Sequence, residues 1–423
     1  MHSGGGFTRL AVKVRAISAT SQTERVQVNT AICLFILGFF CSVLQVPLAL
    51  HAAGFGPSFE TSAVARSLAT LGEFRDPFGV PTGPTAHVAP VYPLILAAAM
   101  RFLKQPELVV WSIILLNAAL MGLTTALLPA LSQQVLGRRA PGVAGGILLA
   151  LSSRLTPQWE ATLAGFLLLA ATLAILDRGP IAGGLWSGAC ILTSPLSLPA
   201  LAFLLISRGR RFLAVSSVLA LCACAPWILR NWVVLGTPYF IRDNLGLELY
   251  VSNNTKAAPE LVLNESLETM HPSKNAAEAA LVARLGEGPY NRMRLGDAFG
   301  WMRSHPRQLL KLTAVRAFYY WLPSPSEGWS AYGYWLATGL GIAGAWLARR
   351  SRLAMLLAAT AVIWSLPFLL IQTAVRYRAP SFWISALLSG IAIEAAAVRI
   401  RVRVAQPRVR PSHAAAASMP RWD

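Results

Sequence analysis

The chain has 423 residues, 55% of them apolar and only 13% charged, with a mean hydropathy of +0.52 and a formal charge of +19. Soluble domains carry about 25% charged residues, so this composition excludes an ordinary cytosolic enzyme and calls for lipid around the surplus apolar surface. The excess of 37 Lys and Arg over 18 Asp and Glu is not a nucleic-acid signature, because no aromatic residues interleave the basic clusters and the clusters sit at the ends of apolar runs.

Apolar runs that suit a bilayer of about 30 Å recur from end to end. The clearest are residues 30–50, 108–131, 212–234, 329–348, 353–372 and 377–398, with shorter or interrupted runs at 91–103, 142–151, 163–176, 182–193 and 196–207. The first follows a basic segment too long for a signal peptide's n-region, and reads as a signal anchor. Five places hold 16 of the 19 net charges: residues 1–29, Arg138/Arg139, Arg208/Arg210/Arg211, Arg349/Arg350/Arg352, and residues 399–423. The positive-inside rule puts all five in the cytoplasm. The polar stretches 53–90 and 236–306 each carry a net charge of −1 and read as extracytoplasmic.

Both termini inside requires an even number of spans. Residues 91–103 are short and start beside Pro90 and Pro93, so they are not expected to cross; 182–207, interrupted by Pro195 and Pro199, reads as one irregular unit. The expectation is an all-α polytopic membrane protein of about ten transmembrane helices. Two outer loops carry short helices, one of them over 273–285, and an interfacial helix covers 307–322. Residues 1–29 and 399–423 form basic tails, the second without regular structure, around a membrane domain at 30–398. The five cysteines all fall in apolar runs and no CxxC occurs, so neither a disulfide framework nor a zinc site is indicated. No P-loop, GxSxG or HExxH motif is present, which argues against an ATP-driven pump.

In the first outer loop, residues 59–71 have helix-forming content between Pro57 and Gly72. Val64, Leu68 and Leu71 fall on one stripe, with Ser62, Arg66 and Thr70 opposite and Glu60 at the apolar edge. Glu60 there reads either as a desolvated base or ligand, or as a first-turn residue that complements the helix dipole. Residues 72–93, rich in Gly and Pro, form a stiff loop that holds Glu73, Asp76 and His87. For His87, a structural and a catalytic role both remain open. Further on, Arg230 lies near the outer end of a span, followed by Arg242. Arg376 and Arg378 break the positive-inside pattern at the start of the last span. Such arginines either snorkel to headgroups or meet an anion, and a lipid phosphate is the nearest anion. Asn253-Asn254-Thr255 and Asn264-Glu265-Ser266 match glycosylation sequons.

An acid-bearing first outer loop ending in PxYP (Pro90, Tyr92, Pro93), the PWxxRNxxxxG segment from Pro226 to Gly236, an HPxxxLxL helix from His305 and a terminal RYRxP from Arg376 resemble the GT-C membrane glycosyltransferases. The similarity covers about residues 30–398, and is nearest to the bacterial members similar to the dolichyl-phosphate-mannose protein mannosyltransferases and the aminoarabinose lipid A transferases. It implies transfer of a sugar from a polyprenyl-phosphate donor to a lipid, glycan or protein acceptor at the extracytoplasmic face of the plasma membrane, usually with inversion. An acid of the first outer loop would activate the acceptor or bind metal or donor. Glu60 is nearest by order, with Glu73 or Asp76 as counterparts because no adjacent acidic pair is present. Arg230, Arg242, Arg376 and Arg378 would meet the donor phosphate, while His87 and Tyr92 would belong to the substrate loop. No cofactor or metal ligand set is assigned, and a divalent metal stays open. A polyprenyl-lipid or glycolipid transporter is the main alternative, hinted at by Glu160 and the Pro195/Pro199 break; a catalytically inactive scaffold of the same fold is another. Convergence of Glu60, Glu73 and Arg376 on one outward cavity would separate enzyme from transporter.

Overall fold

The computed structural model describes residues 5–45, 60–152, 159–328 and 330–405, and among these no β-strand occurs, only two isolated bridges. The chain runs α1 (Gly5–Leu44), α2 (Glu60–Leu71), α3 (Val91–Leu103), α4 (Pro106–Leu136), α5 (Ala140–Ser152), α6 (Ala161–Asp177), α7 (Pro180–Thr193), α8 (Leu198–Ile206) and α9 (Arg210–Leu235). After these come α10 (Leu245–Ser252), α11 (Ser266–Met270), α12 (Ala276–Leu285), α13 (Glu287–Ser304), α14 (Pro306–Trp321), α15 (Ser330–Leu347), α16 (Arg352–Leu370), α17 (Val375–Arg378) and α18 (Phe382–Ala405). The all-α membrane architecture is the expected one.

Among the described residues, five helical segments are long and apolar enough to cross a membrane: Arg25–Leu44, Pro106–Leu136, Arg210–Leu235, Arg352–Leu370 and Val375–Val404. Of the described helices, α6 to α8 are apolar but shorter than a full crossing, and the expected count of ten spans is not confirmed. Helix α3 is also short and packs back on α2, where Arg101 donates to the Ala69 carbonyl at 3.3 Å. Residues 182–207 form the expected irregular unit, α7 and α8 broken by a 3₁₀ turn at Pro195–Ser197. The basic segment before residue 30 is largely helical as part of α1, and α18 carries helix through Ala405. Residues 46–59, where the first apolar run ends and Phe59 was to open α2, and residues 406–423, the expected irregular tail, lie outside the described residues.

Local chemistry sets the helix ends. Pro106 opens α4, where its missing N–H costs nothing, and Gly137 closes it at φ 71° with its N–H on the Gln133 carbonyl. Gly236, the last residue of the PWxxRNxxxxG motif, ends α9 in the same way at φ 69°. Inside the bundle, α5 and α18 touch backbone to backbone: a Cβ at Gly145 would lie 2.6 Å from the Ala386 carbonyl oxygen, so only glycine permits this approach.

Helix α16 links the two ends of the bundle. It starts at the Arg349–Arg352 cluster and reaches Leu370 about 28 Å away at 1.5 Å per residue. At the basic end Ser351 donates to the Val135 carbonyl at 3.3 Å, and Arg138 pairs with Glu394 at 2.6 Å. At the other end the two polar stretches merge into one body, because Phe78 of the first packs with Leu247, Val251, Val282 and Tyr290 of the second.

Arg316 ties this body to the bundle. Expected on an interfacial helix, it is instead completely buried, and it donates to the Ser252 and Leu370 carbonyls, the last residues of α10 and α16. One guanidinium thus caps the negative ends of two helices. Asn253 accepts from Arg316 at 3.0 Å, and Asn264 donates to Gln372 at 2.6 Å. Both sequon asparagines are therefore buried structural ties, inaccessible to glycosylation in the folded chain.

Candidate functional site

At the end of the bundle away from Arg349–Arg352, residues from both polar stretches and from α6, α16 and α17 enclose a cavity of about 350 Å³. One wall is polar, with Glu60, His87, Arg242, Glu248 and His271; the other is apolar, with Leu196, Trp364, Pro367, Phe368 and Ile371. Glu160 and Arg376 also line it.

Glu60 is the first residue of α2, and burial raises its carboxyl pKa while its own backbone N–H, Arg376 and Arg242 oppose the rise. The expected apolar stripe is displaced: Thr61 to Ala65 are buried, Ser62 among them, whereas Leu71 is exposed. What fixes α2 is its first turn, where Ala63, Val64 and Ala65 sink into the core.

The Glu60 Oε1 lies 3.6 Å from His271 Nε2. Burial lowers the His271 pKa despite Glu248 nearby, so at neutral pH the imidazole is uncharged and the contact is not an ion pair. His87 is lowered further, first by burial and then by Arg242 and His271. Glu60, His87 and His271 each offer a ligand atom within 4.8 Å of the others. His87 Nδ1 is buried with no hydrogen-bond partner. Two neutral imidazoles and one carboxylate are the donor set of a catalytic divalent-metal site, so these residues fit such an ion. The sequence did not suggest this set, because His271 lies far along the second polar stretch with no ligand spacing to mark it.

Arg242 donates from Nε to the His87 carbonyl at 2.8 Å and lies 3.8 Å from Glu160. Arg376 lays its guanidinium 3.9 Å from the centre of the Trp159 ring and beside Tyr377. Its Nη2 reaches the Tyr377 hydroxyl at 3.3 Å, while its Nε is buried without a partner. Glu248 accepts from Asn244 at 3.2 Å, and burial raises its pKa against the pull of His271 and Arg242.

Several expected site residues are placed elsewhere. Glu73 and Asp76 do not line the cavity: Arg75 pairs with both, at 2.8 and 2.9 Å, and Asp76 also accepts from the Thr82 and Gly83 amides. These carboxylates had partners within a few residues, and shaping the loop is their work. Arg230 donates to the Thr85 carbonyl at 2.6 Å and the Phe74 carbonyl at 2.9 Å, which places it behind the loop. Arg378 is buried among Trp321, Tyr334 and Phe382 and donates to the Trp321 carbonyl at 2.8 Å, away from the cavity. Tyr92 is buried and accepts from Asn117 at 2.8 Å, also outside the lining. Of the three residues whose convergence was to decide between readings, Glu60 and Arg376 meet in the cavity and Glu73 does not. The transporter hints, Glu160 and Pro195, line the same cavity.

No family profile and no curated protein matches the sequence. Solved structures do. The oligosaccharyltransferase of Archaeoglobus fulgidus, in a crystal structure with Zn and sulfate, gives a TM-score of 0.51 at 15% identity over 88% of this chain and 50% of that one. The archaeal oligosaccharyltransferase AglB from the same organism, in complex with an inhibitory peptide and a dolichol-phosphate, gives 0.48 at 12% identity over 90% and 52%. The chain thus spans about half the length of the solved structures it matches. Identity this low shows the fold alone: the protein is an all-α membrane protein whose fold is similar to that of about half of this oligosaccharyltransferase. The likeness does not single out either of the bacterial families that the sequence resembles.

Proposed function

We propose that this protein is a membrane glycosyltransferase that moves a sugar from a polyprenyl-phosphate donor to an acceptor at the extracytoplasmic face. The observation that carries this is the cavity itself, where a half-buried carboxylate, two arginines and an apolar wall meet at the end remote from the basic clusters. The positive-inside rule assigns those clusters, and both termini, to the cytoplasm, and hence the cavity to the opposite face.

The geometry suits an inverting displacement. A carboxylate takes the proton of the acceptor's hydroxyl as its oxygen attacks the anomeric carbon, and the bond from that carbon to the phosphate oxygen breaks. The polyprenyl phosphate leaves with an added negative charge, which Arg376 and Arg242 are placed to stabilise. Arg376 suits the task because Trp159 and Tyr377 hold its plane while its Nε lacks a protein partner. Trp364, Phe368 and Ile371 offer an apolar surface to the first isoprene units. Glu60, His87 and His271 would hold a divalent cation, which when bound supplies Lewis-acid charge beside the phosphate. Two carboxylates of the cavity, Glu60 and Glu248, are placed to accept the proton; Glu60 is assigned the role on its position at the first loop, and Glu248 would take it where Glu60 holds the cation.

Transfer measured in purified protein with radiolabelled polyprenyl-phosphate hexoses and pentoses tests the reading. Glu60→Gln lowers transfer by about 10²-fold or more; undiminished transfer in that variant together with its loss in Glu248→Gln moves the base to Glu248. Facilitated passage of intact labelled lipid across vesicles, with no transfer, would establish the transporter instead.

A further inference from the structure

The tripeptide Thr85-Ala86-His87 carries His87 into the cavity, and its backbone is tethered at every polar group. The Thr85 N–H donates to the Phe74 carbonyl at 3.2 Å, and the Thr85 carbonyl accepts from Arg230 at 2.6 Å. The Ala86 N–H donates to Glu287 Oε1 at 2.7 Å, and the Ala86 carbonyl accepts from the Asp243 N–H at 2.9 Å. The His87 N–H donates to Thr85 Oγ1 at 2.8 Å, and its carbonyl accepts from Arg242 Nε at 2.8 Å. The Thr85 hydroxyl closes the set on Glu287 Oε2. Among the described residues, only Glu287 holds this segment at two points with one side chain.

Glu287 opens α13, some 200 positions along the chain from Thr85, and is buried. Among the described residues no Lys, Arg or His lies within ion-pair distance of it. Burial pushes its carboxyl up to about 8, so at neutral pH it is an uncharged group with one accepting oxygen and one hydroxyl. A buried glutamate that feels Arg230 only from beyond ion-pair distance is costly to keep for packing alone. This one spans the gap between the second polar stretch and the wall of the site.

We propose that Glu287 is the positioning residue of the cavity: by gripping the Thr85 hydroxyl and the Ala86 amide it fixes His87, and through the His87 carbonyl it fixes Arg242. The proposal rests on the transferase reading for its kinetic consequence and on hydrogen bonds alone for its structural one. A neutral carboxyl acts here through the shape of its two bonds, and glutamine reproduces both. Its carbonyl oxygen accepts from Ala86, and its NH₂ donates to Thr85 Oγ1, which has two lone pairs and still accepts from His87.

The test compares Glu287→Gln and Glu287→Ala in the purified full chain by hydrogen exchange over residues 82–90 and by transfer kinetics. Glu287→Gln keeps both the protection and kcat within about threefold of the parent. Glu287→Ala loses protection over 82–90 and lowers kcat at least tenfold, while KM for the donor stays within about threefold because Arg376 and the apolar wall are untouched. Parent-like protection in Glu287→Ala overturns the proposal, and so does a kcat in Glu287→Gln as low as in Glu287→Ala. If Glu287→Ala unfolds throughout, Glu287→Gln decides: parent-like kcat and protection support the role, and loss of either overturns it. If the parent transfers no sugar from any donor, the transferase reading fails by itself, and exchange over 82–90 in the two variants still decides whether Glu287 positions the segment.

Discussion

Arg376 and Arg378 are two residues apart in one turn, and they end in opposite surroundings. Arg376 leans over Trp159 at the cavity, whereas Arg378 is enclosed by Trp321, Tyr334 and Phe382 and donates to the Trp321 carbonyl and Ser385; the Nε of both is buried without a partner, so it is their surroundings that differ. The same contrast separates the two walls of the site. The polar wall is built from the two polar stretches, tied together by long-range hydrogen bonds such as that from Arg242 to the His87 carbonyl, and the apolar wall largely from the end of α16. Arginines that arrive at this end of the molecule therefore do two jobs. Some lock elements by satisfying carbonyls, and a few are left facing the cavity.

Substitution separates the jobs. The largest effect on folding is expected for Arg316→Leu, which strips the cap from two helix C-termini and leaves buried carbonyls unsatisfied. At about 1.5–3 kcal/mol for a hydrogen bond to a charged group, the loss is enough to prevent recovery of a folded chain from membranes. Arg378→Leu is expected to follow it. A thermal unfolding curve like that of the parent for both variants would sink the division between locking and facing arginines.

Arg376→Ala gives the reverse pattern: a melting temperature close to that of the parent, and transfer reduced by about 10²–10³-fold if its charge meets the leaving phosphate. Arg376→Lys restores only part of the loss, since an ammonium cannot stack flat on Trp159. A smaller and more selective effect belongs to the apolar wall. Ile371→Ser raises KM for a long-chain donor severalfold and leaves kcat near the parent value, because it removes contact with the lipid and not with the reacting atoms. A drop in kcat with KM unchanged would place Ile371 at the chemistry instead.

The sequence made half of this legible. Arg376 stood out as positive charge on the side that avoids it, and Glu60 as a carboxylate at an apolar edge; both line the cavity. Glu73 and Asp76 carried the same signal and are absorbed by Arg75 and by the Thr82 and Gly83 amides, a local competition that residue type does not reveal. Glu248 and His271 were hidden among seven basic and eight acidic residues of the second stretch, where only tertiary contact selects them. The helices were legible because hydropathy and glycine or proline at their ends are local properties. The shortness of α6 to α8 was legible as well, in the short or interrupted apolar runs 163–176, 182–193 and 196–207.

The smallest expected effect is also the most specific to the join between the two polar stretches. Glu287 has a folded pKa of about 8, above the 4.5 of an unperturbed glutamate, so the folded chain holds this proton more tightly than the unfolded one. Its contribution to stability is then complete below pH 4.5 and is lost as pH rises through about 8. Between pH 7 and pH 9 the melting temperature should fall by about 1–2 °C from this group, on the scale of roughly 1 kcal/mol for a chain of this length. Glu287→Gln carries no proton to lose, and its melting temperature should stay flat over that interval. An equal slope in parent and variant would mean that another group titrates there, and that Glu287 is already ionised where it grips Thr85 and Ala86.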